Sequence, residues 1–158
     1  IADSVQIPVV TVGGIADGRS MAAALTLGAQ GVMMASRFIA TTDCVVHENI
    51  KQELVKRQEN ETTLFCKTIG LQGRALRNKI ISEVLRAEGE GKGIEALIPL
   101  IAGQRIKRAW ETGDVEDAPL MVGQSIGHIR GIVSCKELLE KMHDDAVAHL
   151  KKTVSLIQ

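Results

Sequence analysis

Several features that mark common classes of binding protein are scarce in this chain of 158 residues. It has no tyrosine, two phenylalanines and one tryptophan, so it lacks the row of aromatic rings on which single-stranded nucleic acids stack. Its 19 basic side chains are balanced by 19 acidic ones, and this balance gives no attraction to nucleic acid or to an anionic membrane. We therefore expect neither a nucleic-acid partner nor a membrane partner.

Cysteines and long apolar runs are also few. Cys44, Cys66 and Cys135 are odd in number and far apart, without the spacing of a metal site. No apolar run approaches the ~20 residues that a membrane span needs, and no signal peptide is visible. These absences favour a reducing compartment, the cytoplasm, and predict no metal ligands.

The strongest pattern in the chain covers residues 7–37. The β-branched run IPVVTV stops at Gly13-Gly14, and Asp17 is a good N-cap for a helix that ends at Gly28. Residues 31–35 form a second apolar run. A strand, a glycine turn, a helix and a strand in about thirty residues predict a βαβ unit with parallel strands. Continuous apolar runs predict that both faces of this sheet are covered.

The glycines at the end of the first strand have a physical use. Without Cβ atoms, the backbone at Gly13 and Gly14 can approach a ligand closely, and its N–H groups can bind an anion. Ala35 and Ser36 follow the second strand and lie on the same rim. Two such loops resemble the phosphate site after the last two strands of a (β/α)8 barrel. The alternative for Gly-Gly alone is a tight turn beside a close strand–helix contact.

Four motifs carry a more specific resemblance. They are GGIADGR at 13–19, AAALTLGAQGVMMASRF at 22–38, GRALRN at 73–78 and GDVEDAPLMVGQSIG at 113–127. Over about residues 5–142 the chain resembles the nitronate monooxygenase family, once called 2-nitropropane dioxygenase, which includes flavin-dependent enoyl-acyl-carrier-protein reductases. The resemblance implies an α/β fold, the C-terminal part of a (β/α)8 TIM barrel with an added helical region. Residues 1–40 would be the last two βα units, and residues 41–158 a mostly helical insertion with C-terminal helices that return to the barrel.

The resemblance also implies a cofactor, FMN, whose phosphate is held by backbone groups of the two loops. Carried over to this sequence, the candidate residues are Gly13, Gly14, Met33, Met34, Ala35 and Ser36. Met33 stands where the family usually has Gln, and Ala35 where it usually has Gly. A backbone contact survives both changes, whereas a polar side-chain contact from the Gln is lost.

A third stretch, residues 120–127, extends the candidate site. Its glycines let the backbone come close to a ligand, and the resemblance places it beside the flavin, so Gln124 and Ser125 are candidates for cofactor or substrate contact. The alternative is a helix start capped by Ser125. Arg74 and Arg77 have two interpretations as well: both are surface or helix-end arginines, or, as the resemblance implies for a loop over the barrel mouth, one of them contacts a ligand.

The remaining pattern predicts mostly helices. We expect the second strand region to run to Ala40, an extended stretch at 62–69, and helices at 42–58, 78–87, 94–110 and 133–154. Thr42 or Asp43 would cap the first of these helices. Pro99 would kink or split the third, and Ser134 with Glu137 would form a capping box for the last.

The function that the resemblance implies is an FMN-dependent oxidoreductase that oxidises nitronates or nitroalkanes with O2. One alternative is an enoyl-acyl-carrier-protein reductase that uses FMN and NAD(P)H. An inosine-monophosphate-dehydrogenase-like barrel and a non-catalytic fragment also stay open. Because two strands cannot close a barrel, we expect an inactive C-terminal portion whose partner is the N-terminal half and whose catalytic base lies upstream. The substrate would be a small molecule, and a homodimer is left open.

Overall fold

The computed structural model describes residues 1–157. In chain order the strands and α-helices are β1 Val10–Val12, α1 Gly18–Thr26, β2 Gly31–Met33, α2 Ser36–Ile39, α3 Glu48–Lys56, β3 Thr62–Phe65, β4 Gly73–Leu76, α4 Lys79–Gly89, α5 Ile94–Ile101, α6 Gly103–Thr112 and α7 Cys135–Leu156. Short 3-10 turns lie at Ala2–Ser4, Glu59–Glu61 and Gln124–His128. No helix in this part of the chain is long and apolar enough to cross a bilayer.

The predicted βαβ unit is confirmed. Strands β1 and β2 pair in parallel with Val10 opposite Gly31 and Val12 opposite Met33, and α1 connects them. The carboxylate of Asp17 caps α1 by accepting the N–H of Ser20 at 2.8 Å. The ends of the two parallel strands therefore open onto one edge of the sheet.

The expectation that both faces of this sheet are covered is wrong for residues 1–157. The side chains of Val10, Val12 and Met33 are each more than half exposed. The reason is that β1 and β2 form a sheet of only two strands, so no further described element packs on this side.

Two boundaries on the C-terminal side of β2 differ from the predicted ones. The strand ends at Met33, and residues 36–40 are not extended, because the carbonyl of Ala35 accepts the N–H groups of Phe38 and Ile39 and so begins α2. The next helix begins at Glu48, not at residue 42, with the ring of His47 as its cap. Asp43 instead accepts the N–H of Cys135 at 2.8 Å, which ties this loop to the start of α7.

Strands β3 and β4 form an antiparallel hairpin in which Leu64 lies opposite Arg74. The extended stretch is shorter than predicted because Cys66 has a φ of 56°, which turns the chain. Residues 120–122 extend the hairpin: Leu76 donates its N–H to the carbonyl of Leu120 at 3.0 Å. This bond brings the stretch after Pro119 to the edge of β4.

The helices that follow confirm most of the pattern. The predicted helix over 94–110 is split into α5 and α6 at Ala102, whose ψ of 139° is extended, three residues after Pro99. The capping box of Ser134 and Glu137 starts α7. Helix α7 packs on α1 so closely that a Cβ at Gly18 would lie 2.7 Å from the carbonyl oxygen of Met142.

The largest buried cluster lies between these elements. It joins α3, β4 and residues 120–129 through Ile50, Leu54, Leu76, Leu120, Ile126 and Ile129. Each of these side chains is at most 3% exposed. This cluster fixes residues 120–129 against the hairpin and α3, and so positions one wall of the cavity described next.

Candidate functional site

A cavity of about 280 Å³ opens where β1 and β2 end. Seven of the eight predicted site residues line it: Gly13, Gly14, Met33, Met34, Ala35, Ser36 and Ser125. We call it the phosphate cavity. Gln124 is exposed and does not line it, so the structure does not bring this residue together with the others. The sequence therefore identified three separate stretches that meet in space.

The loop after β1 needs its two glycines for their conformation. Gly13 has a φ of 88° and Gly14 a φ of 77°, the left-handed region that other residues rarely adopt. A Cβ added at either position would meet no atom within 4 Å. The space beside this loop is thus free for a ligand, and the backbone can be approached closely.

The loop after β2 is tied to the third stretch by one hydrogen bond. The Oγ of Ser36 accepts the N–H of Gly123 at 3.0 Å, across 87 positions of sequence. The Ser36 side chain is mostly buried, and its hydroxyl proton is left to donate. The backbone N–H groups of Gly14, Ala35 and Ser36 have no acceptor within residues 1–157. Both loops therefore present free donors at the cavity.

Ser125 lines the cavity from the third stretch. It is 7% exposed and sits inside the 3-10 turn Gln124–His128. That turn has no side-chain cap, and the residue before it is Gly123. The interpretation of Ser125 as a helix cap is therefore wrong, and its hydroxyl is free to contact a ligand.

Arg74 supplies the only charge on the described lining of the phosphate cavity. It is half-buried on β4, and its Nη1 donates to the Oγ1 of Thr62 at 2.8 Å. The guanidinium has five N–H donors in all, so the others remain for a ligand. The motif GRALRN left Arg74 and Arg77 as alternatives, and the register of the hairpin and its bond to Leu120 place Arg74 at the cavity.

The chemistry of the lining suits an anion. It combines backbone N–H groups, the hydroxyls of Ser36 and Ser125, and one cation, with no carboxylate among the described lining residues. Phosphate is the anion that such a set of donors binds well. No histidine lines the cavity either, so this lining has donors suited to an anion but offers no group to take a proton from carbon.

His128 pairs with the helix cap Asp17, outside the cavity lining. The Nδ1 of His128 lies 3.8 Å from the Oδ2 of Asp17. Burial would raise the pKa of Asp17, but hydrogen bonds from the N–H and hydroxyl of Ser20 hold it below its usual value. Asp17 is thus an ionised helix cap with a structural role. Within residues 1–157 no three His, Cys, Asp or Glu side chains are grouped to hold a metal ion.

Comparison with known proteins identifies the family of this chain. The family model described as nitronate monooxygenase matches residues 1–145. A probable nitronate monooxygenase of Staphylococcus aureus is 33% identical over 79% of this chain and 35% of its own length. The (3aS,4S,5R,7aS)-5-hydroxy-7a-methyl-1-oxo-octahydro-1H-indene-4-carboxyl-CoA dehydrogenase of Mycobacterium tuberculosis is 28% identical over 96% of this chain.

A solved structure shows the same fold. FabK from Thermotoga maritima superposes with a TM-score of 0.90 at 34% identity, over 98% of this chain and 49% of that chain. The chain spans about half the length of the first curated relatives it matches, 53% in both. Its mixed α/β architecture is therefore shared with part of these larger enzymes. With the family model matched over nearly its whole length, the chain belongs to the nitronate monooxygenase family.

Proposed function

We propose that the complete protein is an FMN-dependent oxidoreductase that oxidises nitronates with O2, and that the phosphate cavity holds the phosphate of FMN. The observation that carries this proposal is the junction at Ser36. There two loops at the ends of parallel strands meet the stretch 120–125 around unpaired donors. Residues 1–40 would be the last two βα units of a TIM barrel, where that fold holds phosphates.

The residues present fit the phosphate of FMN. A phosphate dianion needs several N–H or O–H donors and a compensating positive charge. The cavity offers the unpaired N–H groups of Gly14, Ala35 and Ser36, and the guanidinium of Arg74. The open space beside Gly13 and Gly14 admits a ligand to the backbone. Ala35 and Met33 stand where other residues are usual, yet both contribute through the backbone.

Each part of this chain then has a defined task. The positive φ of Gly13 and Gly14 turns the loop so that its backbone lines the cavity. Ser36 holds Gly123 with its oxygen and donates its proton toward the anion. Arg74 balances the charge. FMN supplies the electron-transfer chemistry when bound, and the protein contributes binding and orientation.

The catalytic base would come from the rest of the protein. Proton abstraction from carbon needs an acceptor within hydrogen-bond reach, tuned near neutral pH. The described lining holds two serine hydroxyls and one arginine as its polar side chains, and none of these is such an acceptor. A base beyond this chain would complete the site together with the substrate wall.

A second candidate is an oxidoreductase of acyl thioesters that uses FMN with NAD(P)H. It is favoured by one observation: a relative that aligns with 96% of this chain is named as a carboxyl-CoA dehydrogenase. The enoyl-acyl-carrier-protein reductases of the family belong to the same branch of chemistry. In both candidates the phosphate cavity has the same task, so the cofactor test below applies to each.

The cofactor test uses the complete protein and a pair of arginine variants. Arg74→Gln removes the charge that lines the cavity, whereas Arg77→Gln removes an exposed charge three residues later that does not line it. We expect the first change to weaken FMN binding by about 10- to 150-fold, the loss of one hydrogen bond to a charged group at about 1.5–3 kcal/mol. The second should leave it unchanged. FMN titration by flavin fluorescence gives the affinities, and equal affinities in both variants would contradict the placement.

The reaction test compares two assays on the same preparation. Oxygen uptake with the nitronate of nitroethane measures the first candidate. NAD(P)H oxidation with a four-carbon enoyl thioester measures the second. A preparation that lacks flavin absorption in the visible and binds none on titration would contradict both.

A further inference from the structure

A smaller cavity, of about 100 Å³, is formed by α7 and by residues that follow the loops of the phosphate cavity along the chain. The two cavities share no lining residue. Ionisable side chains make up more than half of the lining of the smaller one: Asp17, Arg37, His128, Arg130, Lys141 and Asp145. We call it the charged cavity. The ligand that it can accept is therefore decided by the balance of these charges.

Arg37 is the buried cation of the charged cavity. It is 7% exposed, its Nη1 donates to the carbonyl of Ala40 at 2.8 Å, and no carboxylate pairs with it within residues 1–157. In the same residues no side-chain nitrogen is both fully enclosed and without a partner. The free nitrogens of this guanidinium therefore reach open space, and Arg37 lines the charged cavity. A buried cation without a counter-charge is unfavourable, so this guanidinium favours an anion beside it.

The other charges leave the charged cavity with a positive balance. Asp145 is paired with the Nζ of Lys141 at 3.0 Å, and the Oδ2 of Asp17 lies 3.8 Å from the Nδ1 of His128. Arg130 is exposed and has no carboxylate partner within residues 1–157. With His128 neutral, the lining carries three cations against two carboxylates. Because both carboxylates already have a basic neighbour, Arg37 and Arg130 are left to attract an anion.

Helix α1 adds a backbone donor to the charged cavity. The N–H of Gly18, the first residue of this helix, has no acceptor within residues 1–157, and Gly18 lines the cavity. The first N–H groups of a helix carry partial positive charge and bind anions. Leu138 and Met142, which are at most 4% exposed, form the α7 side. The cavity thus combines a buried guanidinium, a helix N–H and an apolar wall.

We infer that the charged cavity binds one phosphate group, separate from the phosphate of FMN. A volume of about 100 Å³ corresponds to about three water molecules in the liquid, which suits a tetrahedral oxyanion. Guanidinium groups bind such oxyanions through strong, charge-assisted hydrogen bonds. The phosphate is either free in solution or the end group of a larger molecule, since exposed residues such as Arg130 leave the cavity open to solvent. This inference goes beyond the proposed function and does not depend on the reaction.

The binding test uses the complete protein loaded with FMN, so that the phosphate of FMN occupies the phosphate cavity. Inorganic phosphate and glycerol 3-phosphate are titrated in separate calorimetry runs, with chloride keeping the ionic strength constant. We expect one equivalent to bind and Arg37→Gln to weaken binding by about tenfold or more, because a charged hydrogen-bond donor is lost. Arg86→Gln is the matched control, since Arg86 is exposed on α4 and does not line the cavity.

A second variant separates binding from folding. Arg37 also holds the carbonyl of Ala40, so urea unfolding is measured for every variant. Arg130→Gln removes an exposed charge that has no partner within residues 1–157, and it should fold as the parent does. We expect it to weaken phosphate binding by about two- to fivefold, the range of an exposed charge pair.

The outcomes separate this inference from the proposed function. Binding of inorganic phosphate identifies a site for the free ion, whereas binding of glycerol 3-phosphate alone identifies a site for the end group of a larger ligand. Equal affinities in Arg37→Gln and Arg86→Gln would overturn the inference, and so would the absence of any binding, which leaves the FMN proposal standing. Binding that is weakened by Arg74→Gln and not by Arg37→Gln would put the ion in the phosphate cavity and contradict both proposals. Binding that depends on Arg37 in a protein that retains no FMN would contradict the proposed function alone.

Discussion

Gly14→Ala provides a direct test of where the cofactor phosphate binds. Gly14 has a φ of 77°, and a Cβ at this position would meet no atom within 4 Å. The methyl group therefore has room in the protein itself, but it would project beside the backbone N–H that we assign to the phosphate. We expect FMN binding to be lost to a greater extent than folding stability.

The expected loss of folding stability and the expected loss of FMN affinity have different magnitudes. An alanine in the left-handed region costs about 1–2 kcal/mol, and the reduced freedom of the unfolded chain returns about 0.4–1 kcal/mol. The free energy of unfolding should thus fall by about 1 kcal/mol. Losing one hydrogen bond to a charged phosphate costs a further 1.5–3 kcal/mol of binding. The dissociation constant of FMN should therefore rise by about 10- to 150-fold.

The chain offers a matched control in Gly91. It has a φ of 70°, it is exposed like Gly14, and its added Cβ also meets nothing within 4 Å. Gly91 lies in the loop after α4 and does not line the phosphate cavity. Urea unfolding should give both alanine variants the same loss of stability. FMN titration should separate them, and equal FMN affinities would show that the phosphate lies elsewhere.

Three further predictions address the site and its support. Met33→Gln introduces, at a 58% exposed position, the polar side chain that is usual in the family. Titration should show that FMN binds equally well or tighter by up to about 1 kcal/mol. A large loss of FMN affinity would mean that Met33 is a packing residue in the complete protein. Ser36→Ala leaves the N–H of Gly123 without its acceptor, which should lower the free energy of urea unfolding by about 1–3 kcal/mol. Ser125→Ala should cost much less, because the Ser125 hydroxyl has no partner within residues 1–157. Similar losses of stability in the two variants would refute the bridging role of Ser36. Burial would raise the pKa of Glu88, but hydrogen bonds from Thr68 and Cys66 lower it below its usual value. The stability that the Glu88 carboxylate contributes is therefore present at neutral pH and is lost as the pH falls through its folded-state pKa. Glu88→Gln should flatten the acid side of the curve of unfolding free energy against pH, and an unchanged slope would contradict this.

The sequence predicted what depends on neighbouring residues. The βαβ unit follows from two short apolar runs, a glycine pair and the cap at Asp17. The capping box of Ser134 and Glu137 was equally predictable from the sequence, because its donors and acceptors lie three residues apart. A break in the helix over 94–110 was predicted from Pro99, but it lies at Ala102, after the proline, where the lost hydrogen bond of Pro99 does not account for it. For the caps at Asp17 and Ser134 the physical cause and its effect lie within one turn of chain.

The predictions from sequence were wrong where a side chain suited to a local contact makes a long-range contact instead. Asp43 has the side chain of a helix cap, but its carboxylate binds the N–H of Cys135, 92 positions away. The helix starts later, at Glu48, and its cap is the ring of His47. Ser125 also resembles a cap, yet it lies inside a 3-10 turn and faces the cavity. A side chain that could cap a helix nearby can instead contact a distant segment, and only the folded structure shows which of the two contacts forms.

The phosphate cavity shows why family resemblance and geometry are both needed. The resemblance named the two loops and the stretch at 124–125, but it did not order them in space. The bond from Gly123 to Ser36 and the bond from Leu76 to Leu120 do so. Together they bring Arg74 on β4 to the ends of β1 and β2, although no local pattern links these residues. One short segment thus joins the loop after β2 to the hairpin, and a shift of that segment would change the shape of the phosphate cavity.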